Sequence, residues 1–292
     1  MPQYTLLGGG YRAELTELGG AVSALTHGGR DLIPSRPVDG PIEFYNGTLL
    51  APWPNRVVGA RYVFADECFE LPVNEPDRGH ALHGFVSDAH WSCVEFTAIE
   101  DHRSSAVMTY TLEPHQGYPY RLALTTTYVL DESGLTTTLK AENIGEAAAP
   151  YGCGPHPWLL AGPDVTEYTL SLPAGKVFLT DELLAPTELV AVDGTDYDFR
   201  EAHALGQVAI DHAYTALTEG RVVVSGPGGG VAVTWDHESL PWVQVCNGVG
   251  LGYKGVAVEP MTCPPDAYNS GTDLIVLKPG DTHEASWTIS AA

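Results

Sequence analysis

The residues of this sequence best suited to moving protons are a histidine between two prolines and a glutamate that ends an apolar alternation. His156 lies in segment 154–158, Gly-Pro-His-Pro-Trp, whose stiff backbone would aim the imidazole. Histidine changes charge near neutral pH and is therefore a candidate general acid or base. Glu259 follows two alternating valines and precedes a proline that holds it extended, so its carboxylate is expected on the strand face opposite those valines. Each has an ordinary alternative, a histidine bonded to loop carbonyls and a glutamate facing solvent.

Three further segments offer groups that could hold a polar ligand. Asn55 and Arg56 follow two prolines, His83 lies in a glycine-flanked loop, and Asp211 lies between an apolar pair and an aromatic residue. Functional side chains are concentrated on loops of this kind. The alternatives are a structural salt bridge for the arginine, a loop hydrogen bond for the histidine and a turn cap for the aspartate.

His80 and His83 are three residues apart and could be metal ligands on a helical turn. The flanking Gly79 and Gly84 make a helix improbable there. The sequence contains no His-Glu-x-x-His pattern, and no third ligand lies nearby in the chain. We therefore expect no metal site at this pair.

Strands, and not helices, are predicted to position these residues, because apolar and polar residues alternate with period two throughout the chain. The 32 glycines and 22 prolines divide the alternating runs into well over a dozen short segments. The best helical candidate, near 187–192, is a turn or two at most. The clearest strand candidates are 122–130, 135–140, 221–225, 231–236, 242–246 and 286–290. The sequence predicts an all-β protein.

No linker, charge block or internal repeat divides the chain, so we predict a single domain over residues 1–292. So many strands cannot form one open sheet. Two large antiparallel sheets packed face to face are therefore expected, with a concave face where a ligand could bind.

Charge and composition exclude several classes of function. Fourteen Lys and Arg residues against 37 Asp and Glu residues give a net charge of -23, which repels nucleic acid and anionic membranes. The five cysteines are an odd number without a C-x-x-C pair, so we expect them reduced and mostly buried. The first residues show no signal-peptide pattern. We expect a cytoplasmic protein with neither nucleic acid nor membrane as partner.

In order and spacing, the motifs resemble the aldose 1-epimerase (galactose mutarotase) family over nearly the whole chain. The family's fold is a large antiparallel β-supersandwich with the sugar site in its concave face, and we expect the same architecture here. The residues that carry the resemblance are Glu17-Leu18-Gly19-Gly20-Ala21, Gly29-Arg30-Asp31-Leu32, Asn55-Arg56 with Gly59, Leu82-His83-Gly84, His156-Pro157, Asp211-His212-Ala213-Tyr214, Glu259-Pro260, Pro265-Asp266-Ala267-Tyr268-Asn269 and Leu277-Lys278-Pro279-Gly280.

The resemblance implies interconversion of the α and β anomers of a free hexose such as galactose or glucose, without metal or cofactor. It assigns Glu259 as the base and His156 as the acid. We expect the acidic surroundings to keep this histidine protonated. The resemblance assigns sugar-hydroxyl binding to the remaining motif residues, and the second histidine among them could assist at the ring oxygen, so the principal acid stays open. These binding residues are Asn55, Arg56, His83 and Asp211. The expected partner is a small-molecule sugar, and the protein is expected to be a monomer or a homodimer.

Two departures from the best-known galactose mutarotases leave the sugar open. Phe85 follows Gly84 where a second glycine is common, and His156 lies in Gly-Pro-His-Pro-Trp where Asn-His-x-x-Phe-Asn is typical. One alternative is a mutarotase of a modified sugar such as sulfoquinovose, whose sulfonate would need an arginine. Candidates for that role are Arg56, Arg61 and Arg78.

Two further hypotheses assign the protein to other classes of function. One is a carbohydrate-binding protein on the same fold without catalysis. The other is a glycoside hydrolase using Glu259 and Asp211 as its two carboxylates, which would leave His156 without a role. Aromatic residues beside the motifs could stack on a sugar or simply pack in the core. They are Trp53, Trp158, Tyr253 and Tyr268.

Overall fold

The computed structural model describes residues 2–100, 102–249 and 251–292. Strands dominate these residues, and helix is confined to α1 (Ala267–Ser270) and to 3₁₀ turns at Glu43–Tyr45, Val58–Ala60 and Val165–Glu167. In chain order the strands are β1 (Gln3–Gly8), β2 (Tyr11–Thr16), β3 (Ala21–His27), β4 (Arg30–Asp31), β5 (Leu49–Leu50), β6 (Arg56–Val57), β7 (Arg61–Phe64), β8 (Glu67–Glu70), β9 (Ala81–Leu82), β10 (Ser92–Glu100), β11 (Arg103–Leu112), β12 (Leu122–Asp131), β13 (Gly134–Asn143), β14 (Ala149–Tyr151), β15 (Gly154–Pro155), β16 (Trp158–Leu159), β17 (Thr169–Ser171), β18 (Ala174–Thr180), β19 (Pro186–Ala191), β20 (His203–Ala204), β21 (Asp211–Leu217), β22 (Arg221–Gly226), β23 (Gly229–Trp235), β24 (Trp242–Cys246), β25 (Val256–Met261), β26 (Ile275–Leu277) and β27 (Thr282–Ala291).

Two large antiparallel sheets organise the described residues. The first has nine strands in the order β10-β11-β12-β13-β27-β23-β22-β17-β20, and the second has six in the order β16-β25-β24-β21-β18-β19. Strands β1 to β4 form a four-stranded sheet, and the pairs β14-β26, β15-β5, β6-β9 and β7-β8 form short two-stranded sheets. One hydrophobic cluster includes Val231 and Val233 of the first large sheet and Val243 and Val258 of the second. The all-β class predicted from the sequence is confirmed, and the single domain over 1–292 stays a prediction.

The period-two pattern is realised residue by residue in the long strands. In β12, Leu122 and every second residue after it are buried, while the residues between them are partly exposed. Strand β24 has the bounds predicted from its alternation, Trp242–Cys246. The helical candidate near 187–192 is wrong, because this segment forms β19, which pairs with β18 through partners such as Val177 and Val190. Ladder hydrogen bonds outweigh its weak helical periodicity.

Strand β25 separates the main core from a second surface of the six-stranded sheet. Val256 and Val258 belong to the main hydrophobic cluster. Ala257 packs on the opposite face with Trp158 and Cys246. Because side chains alternate along a strand, Glu259 lies on the Ala257 face.

All five cysteines are free, as expected from their number and spacing. Cys153, Cys246 and Cys263 are buried, Cys93 is half-buried and Cys68 is exposed. Among the helices of the described residues, none is long and apolar enough to cross a membrane.

Candidate active site

Neighbouring strands of the six-stranded sheet bring three polar side chains onto one face. Gln244 of β24 is paired with Glu259 of β25 and, on its other side, with Ala213 of β21. Asp211 lies two residues before Ala213 and therefore shares its face. The Gln244 Nε2 donates a hydrogen bond of 2.6 Å to Asp211 Oδ1. The sequence motifs did not indicate Gln244, because it lies within a buried apolar strand.

His156 is held against this face by its backbone. Its N–H donates to the Thr48 carbonyl over 3.0 Å, and β15 beside it pairs with β5. A Cβ at Gly154 would lie 2.5 Å from the Pro260 carbonyl oxygen, so only glycine allows β15 to approach β25 so closely. The result is a distance of 3.3 Å between His156 Nε2 and Glu259 Oε1.

His83 approaches from the loop after β9, and its ring is oriented by Asn55. The Asn55 N–H donates to His83 Nδ1 over 3.1 Å, while the His83 N–H donates to the Asn55 carbonyl over 2.9 Å. Because Nδ1 accepts, the neutral ring carries its proton on Nε2 and is a hydrogen-bond donor there. Gly84 is required next to it, since a Cβ would lie 1.9 Å from the Ala51 carbonyl oxygen.

A buried ion network fixes the guanidinium of Arg56. Its Nε and Nη2 donate to the two carboxylate oxygens of Glu75 over 2.8 and 2.9 Å. Arg78 Nη1 donates to the same carboxylate over 2.8 Å, and Asp211 Oδ2 lies 3.9 Å from Arg56 Nη2. Bidentate pairing of this kind holds the guanidinium in one orientation. Burial raises the pKa of Glu75, but its bonds to Arg56 and the charges of both arginines outweigh burial and lower it.

A cavity of about 230 Å³ collects these groups on this face of the six-stranded sheet. All six site residues predicted from the sequence line it, together with residues that the motifs did not indicate. The lining residues are Phe44, Tyr45, Asn55, Arg56, Glu75, Arg78, Leu82, His83, His156, Trp158, Leu184, Asp211, Cys246, Leu251 and Glu259. Their roles in binding or catalysis stay predictions.

Aromatic residues divide between the wall of the cavity and the core behind it. Trp158 lines the cavity, and Tyr253 packs against it with ring centroids 5.0 Å apart. Tyr268 is buried, and its hydroxyl lies within donating distance of two core carbonyls, those of Pro52 and Pro150, at 3.0 and 2.9 Å. Trp53 packs edge-on against Tyr268. Of the four aromatic candidates, Trp158 therefore offers the cavity a ring.

Tyr45 is an aromatic wall residue that the motifs did not indicate. Its ring packs edge-on against His83 with centroids 4.5 Å apart and stacks on His156 at 5.8 Å. Arg61, in contrast, lies on the surface in an exposed pair with Glu70. Arg61 is therefore removed from the candidates for binding a charged sugar.

Burial controls the protonation of the two histidines and the glutamate. It lowers the pKa of His156 to about 3, and together with the charges of His156 and Arg56 it holds the pKa of His83 well below its ordinary value. The expectation that His156 is kept protonated is wrong, because lost hydration outweighs the acidity of the chain. Burial also raises the pKa of Glu259, with the Asp211 charge adding to the rise and Arg56 opposing it. All three groups are biased toward their uncharged forms.

His83, His156 and Glu259 are close enough to share one metal ion, since their ligand atoms lie within 4.8 Å of one another. Two imidazoles and a carboxylate are a donor set that zinc or iron accepts. The positive charge of Arg56 acts on both His83 and Glu259. This charge opposes protonation of His83 and favours the ionised carboxylate of Glu259, and it is partly offset by Glu75 and Asp211.

Comparison with known proteins identifies the family of the chain. A family model described as aldose 1-epimerase matches residues 2–290. The chain belongs to the aldose 1-epimerase family. It is 37% identical to the uncharacterized protein YihR of Escherichia coli (strain K12) over 289 residues, which are 98% of this chain and 92% of that protein. It is 28% identical to the galactose mutarotase of Rattus norvegicus over 170 residues, 56% of this chain and 47% of the rat protein.

Solved structures of aldose 1-epimerase relatives have the same fold. A galactose mutarotase-like protein from Clostridium acetobutylicum superposes with a TM-score of 0.87 at 18% identity, covering 99% of this chain and 94% of that one. The galactose 1-epimerase from Lactobacillus acidophilus NCFM gives 0.80 at 19% identity, covering 97% and 92%. The predicted galactose mutarotase-like β-supersandwich is confirmed.

Proposed function

We propose that this member of the aldose 1-epimerase family interconverts the α and β anomers of a free, uncharged hexose such as galactose or glucose. The observation that carries the proposal is the buried pair of His156 Nε2 and Glu259 Oε1 at 3.3 Å in the wall of the cavity. Anomer exchange requires one group that takes a proton and one that gives a proton. Two such groups typically accelerate a reaction by about 10² to 10⁴-fold each.

The pair has one proton to share, and both placements of it give one acid and one base. With the proton on His156, the Glu259 carboxylate removes the proton of the anomeric hydroxyl while the imidazolium protonates the ring oxygen. The bond from C1 to the ring oxygen breaks, and C1 becomes an aldehyde carbon. Rotation about C1–C2, re-addition of the C5 hydroxyl to C1 and return of both protons give the other anomer.

Sugar binding would shift the shared proton toward the working arrangement. Burial favours the uncharged form, in which Glu259 holds the proton. Sugar hydroxyls that donate to the Glu259 carboxylate would favour the ionised form, as the charge of Arg56 already does. His83, which stays neutral with Nε2–H as a donor, would then support the ring oxygen without carrying charge.

The charges around the cavity favour an uncharged sugar over a sulfonated one. Arg56 and Arg78 both donate to the Glu75 carboxylate, and Asp211 also faces Arg56. These carboxylates offset the two guanidinium charges, so a sulfonate would compete with them for the arginines.

A glycoside hydrolase is less well supported by the same contacts. Asp211 already accepts from Gln244 and faces Arg56. His156 pairs with Glu259, although a pair of carboxylates would suffice for glycoside hydrolysis. Anomer exchange uses the histidine and glutamate together, which is why it is the preferred proposal.

The test is the optical rotation of freshly dissolved α-D-galactose and α-D-glucose, followed with and without the protein in a weakly catalytic buffer. We expect faster approach to the same equilibrium rotation. Methyl α-D-galactoside is the control, because it has no free anomeric hydroxyl and should be unchanged. Release of galactose from it would support the hydrolase. Faster anomer exchange of sulfoquinovose, with no change in the rate of either hexose, would contradict the proposal that the substrate is uncharged. Binding of a sugar without faster anomer exchange would support a non-catalytic binding protein.

A further inference from the structure

A second cavity of about 490 Å³ adjoins the candidate active site. Tyr45 lines both cavities. Two pairs of adjacent residues also lie at the boundary between the cavities. Glu75 and His83 line the first cavity, and their chain neighbours Asn74 and Gly84 line the second. The two spaces are therefore separated by little more than one side-chain layer at this wall. We call the second space the outer groove.

The outer groove carries groups suited to a sugar ring. Phe85 and His115 stack face to face with ring centroids 4.4 Å apart and planes 9° apart, so the pair can offer a ligand its outer ring face and its ring edges. Ser87 and Asp88 add hydroxyl and carboxylate oxygens to the lining. Aromatic rings that can contact the apolar C–H groups of a sugar, with a few polar groups beside them, are typical of a carbohydrate subsite.

Tyr45 is held as a fixed partition between the two spaces. Phe44 and Tyr45 have φ values of 47° and 56°, in the left-handed region that non-glycine residues seldom adopt. Such strain persists only where surrounding contacts impose it. Here the Phe44 carbonyl accepts from Trp158 Nε1 over 2.9 Å, and the Tyr45 carbonyl accepts from the amide and hydroxyl of Thr48 over 3.0 and 2.8 Å. These bonds hold the backbone of the turn, and the phenol ring packs against His83 and His156.

We propose that Tyr45 is a specificity-determining residue that limits the sugar site to a single ring. The inference rests on the proposed function and deepens it. The wild-type protein accepts free monosaccharides and rejects reducing disaccharides whose second ring would occupy the position of the phenol. Removal of the phenol ring joins the cavity to the outer groove, so the second sugar ring then reaches the stacked pair of Phe85 and His115.

The test compares wild type with Tyr45→Asn and Tyr45→Phe. Asparagine is short and tolerates the left-handed backbone at this position, whereas phenylalanine keeps the partition. Anomer exchange is measured by NMR for glucose and for its α-linked reducing disaccharides joined through O2, O3, O4 and O6. The readout is kcat/KM for each disaccharide relative to glucose, which a general loss of folding or activity does not alter.

We expect wild type and Tyr45→Phe to prefer glucose over every disaccharide that extends toward the partition. In Tyr45→Asn, the relative kcat/KM should rise about tenfold or more for one linkage, because the outer groove leaves the cavity in one direction. Adding His115→Ala to Tyr45→Asn should reduce that gain and leave glucose turnover unchanged, since His115 lies in the outer groove alone.

Equal relative rates in wild type and Tyr45→Asn for all four linkages would overturn the proposal, as would a gain in Tyr45→Phe of the same size. Absence of anomer exchange in every protein would instead contradict the proposed function. The length limit is then read from calorimetric Kd ratios of disaccharide to glucose. A higher relative affinity for one disaccharide in Tyr45→Asn supports the partition, and unchanged ratios or no binding overturn it.

Discussion

Asp211 and Glu259 lie on one face of the six-stranded sheet, separated by the strand that carries Gln244, and the charge of Asp211 adds to the rise that burial causes in the pKa of Glu259. Gln244 holds Asp211 in this position through its 2.6 Å hydrogen bond. The carboxylate proposed as the base is therefore tuned by a second acid that it does not touch.

The alkaline limb of the pH dependence should report this tuning. The working pair of His156 and Glu259 holds one proton, so kcat/KM is lost as pH rises through the raised pKa of Glu259 and that proton leaves. Asp211→Asn removes the second largest contribution to that rise, so the limb should move to lower pH. The matched control is Asp66→Asn, which removes one exposed charge at a hairpin position with φ 64°. An unmoved limb in Asp211→Asn would show that another group sets it.

Glu259→Gln should stabilise the protein above the pKa of Glu259. A group whose folded pKa is raised contributes stability that is present at low pH and lost as pH rises through the folded pKa. The amide has no charge to desolvate, so we expect a gain of about 1 to 3 kcal/mol at pH 8, seen as a Tm higher by a few degrees. The gain should shrink at pH 5. A variant less stable than wild type at pH 8 would contradict the buried charge.

The two histidines should differ in their effects on catalysis. His156 shares a proton with Glu259, whereas His83 is held neutral with Nδ1 occupied by the Asn55 amide. His156→Asn should lower kcat by about 100-fold or more, and His83→Asn by a smaller factor. Nitrogen-15 NMR should show the Nε2–H tautomer of His83 between pH 5 and 8. A charged His83 in that range would contradict the assignment.

Glu75→Gln should reveal the cost of leaving Arg56 without its buried partner. The two side chains are 8% and 11% exposed, and truncating one member of such a pair costs about 3 kcal/mol. Glu70→Gln is the matched control, because it breaks the surface pair with Arg61, whose side chains are 69% and 66% exposed. The control should leave urea unfolding nearly unchanged. Equal effects of the two variants would show that the Arg56 pair is not a structural element.

The sequence indicated the strands well because alternation is a local signal. It could not indicate which strands pair, since β27 lies between β13 and β23 and each partner is distant in the chain. The helical candidate at 187–192 failed for the same reason, because its partner strand decides its structure. Local periodicity therefore predicted the fold class and many strand bounds but no sheet order.

The sequence motifs correctly indicated six residues that line the cavity. They missed the residues that reach the site only through tertiary contacts. Glu75 acquires its role from Arg56, which lies 19 residues away in the chain. Gln244 lies in an apolar strand, and no motif of polar residues surrounds it. Tyr45 reaches the site through a left-handed backbone conformation, which the residue types at this position do not predict. The charge of His156 was misjudged because desolvation depends on burial, which a segment of sequence does not report.

The mutarotation rate of Glu259→Gln tests the central claim most directly. Polarimetry with fresh α-D-galactose gives the rate, and calorimetry on the same folded variant gives the sugar affinity. We expect kcat to fall by about 100-fold or more while Kd stays within about tenfold of wild type. A folded variant that binds sugar and retains the wild-type rate would contradict the assignment of Glu259 as the proton-transfer group.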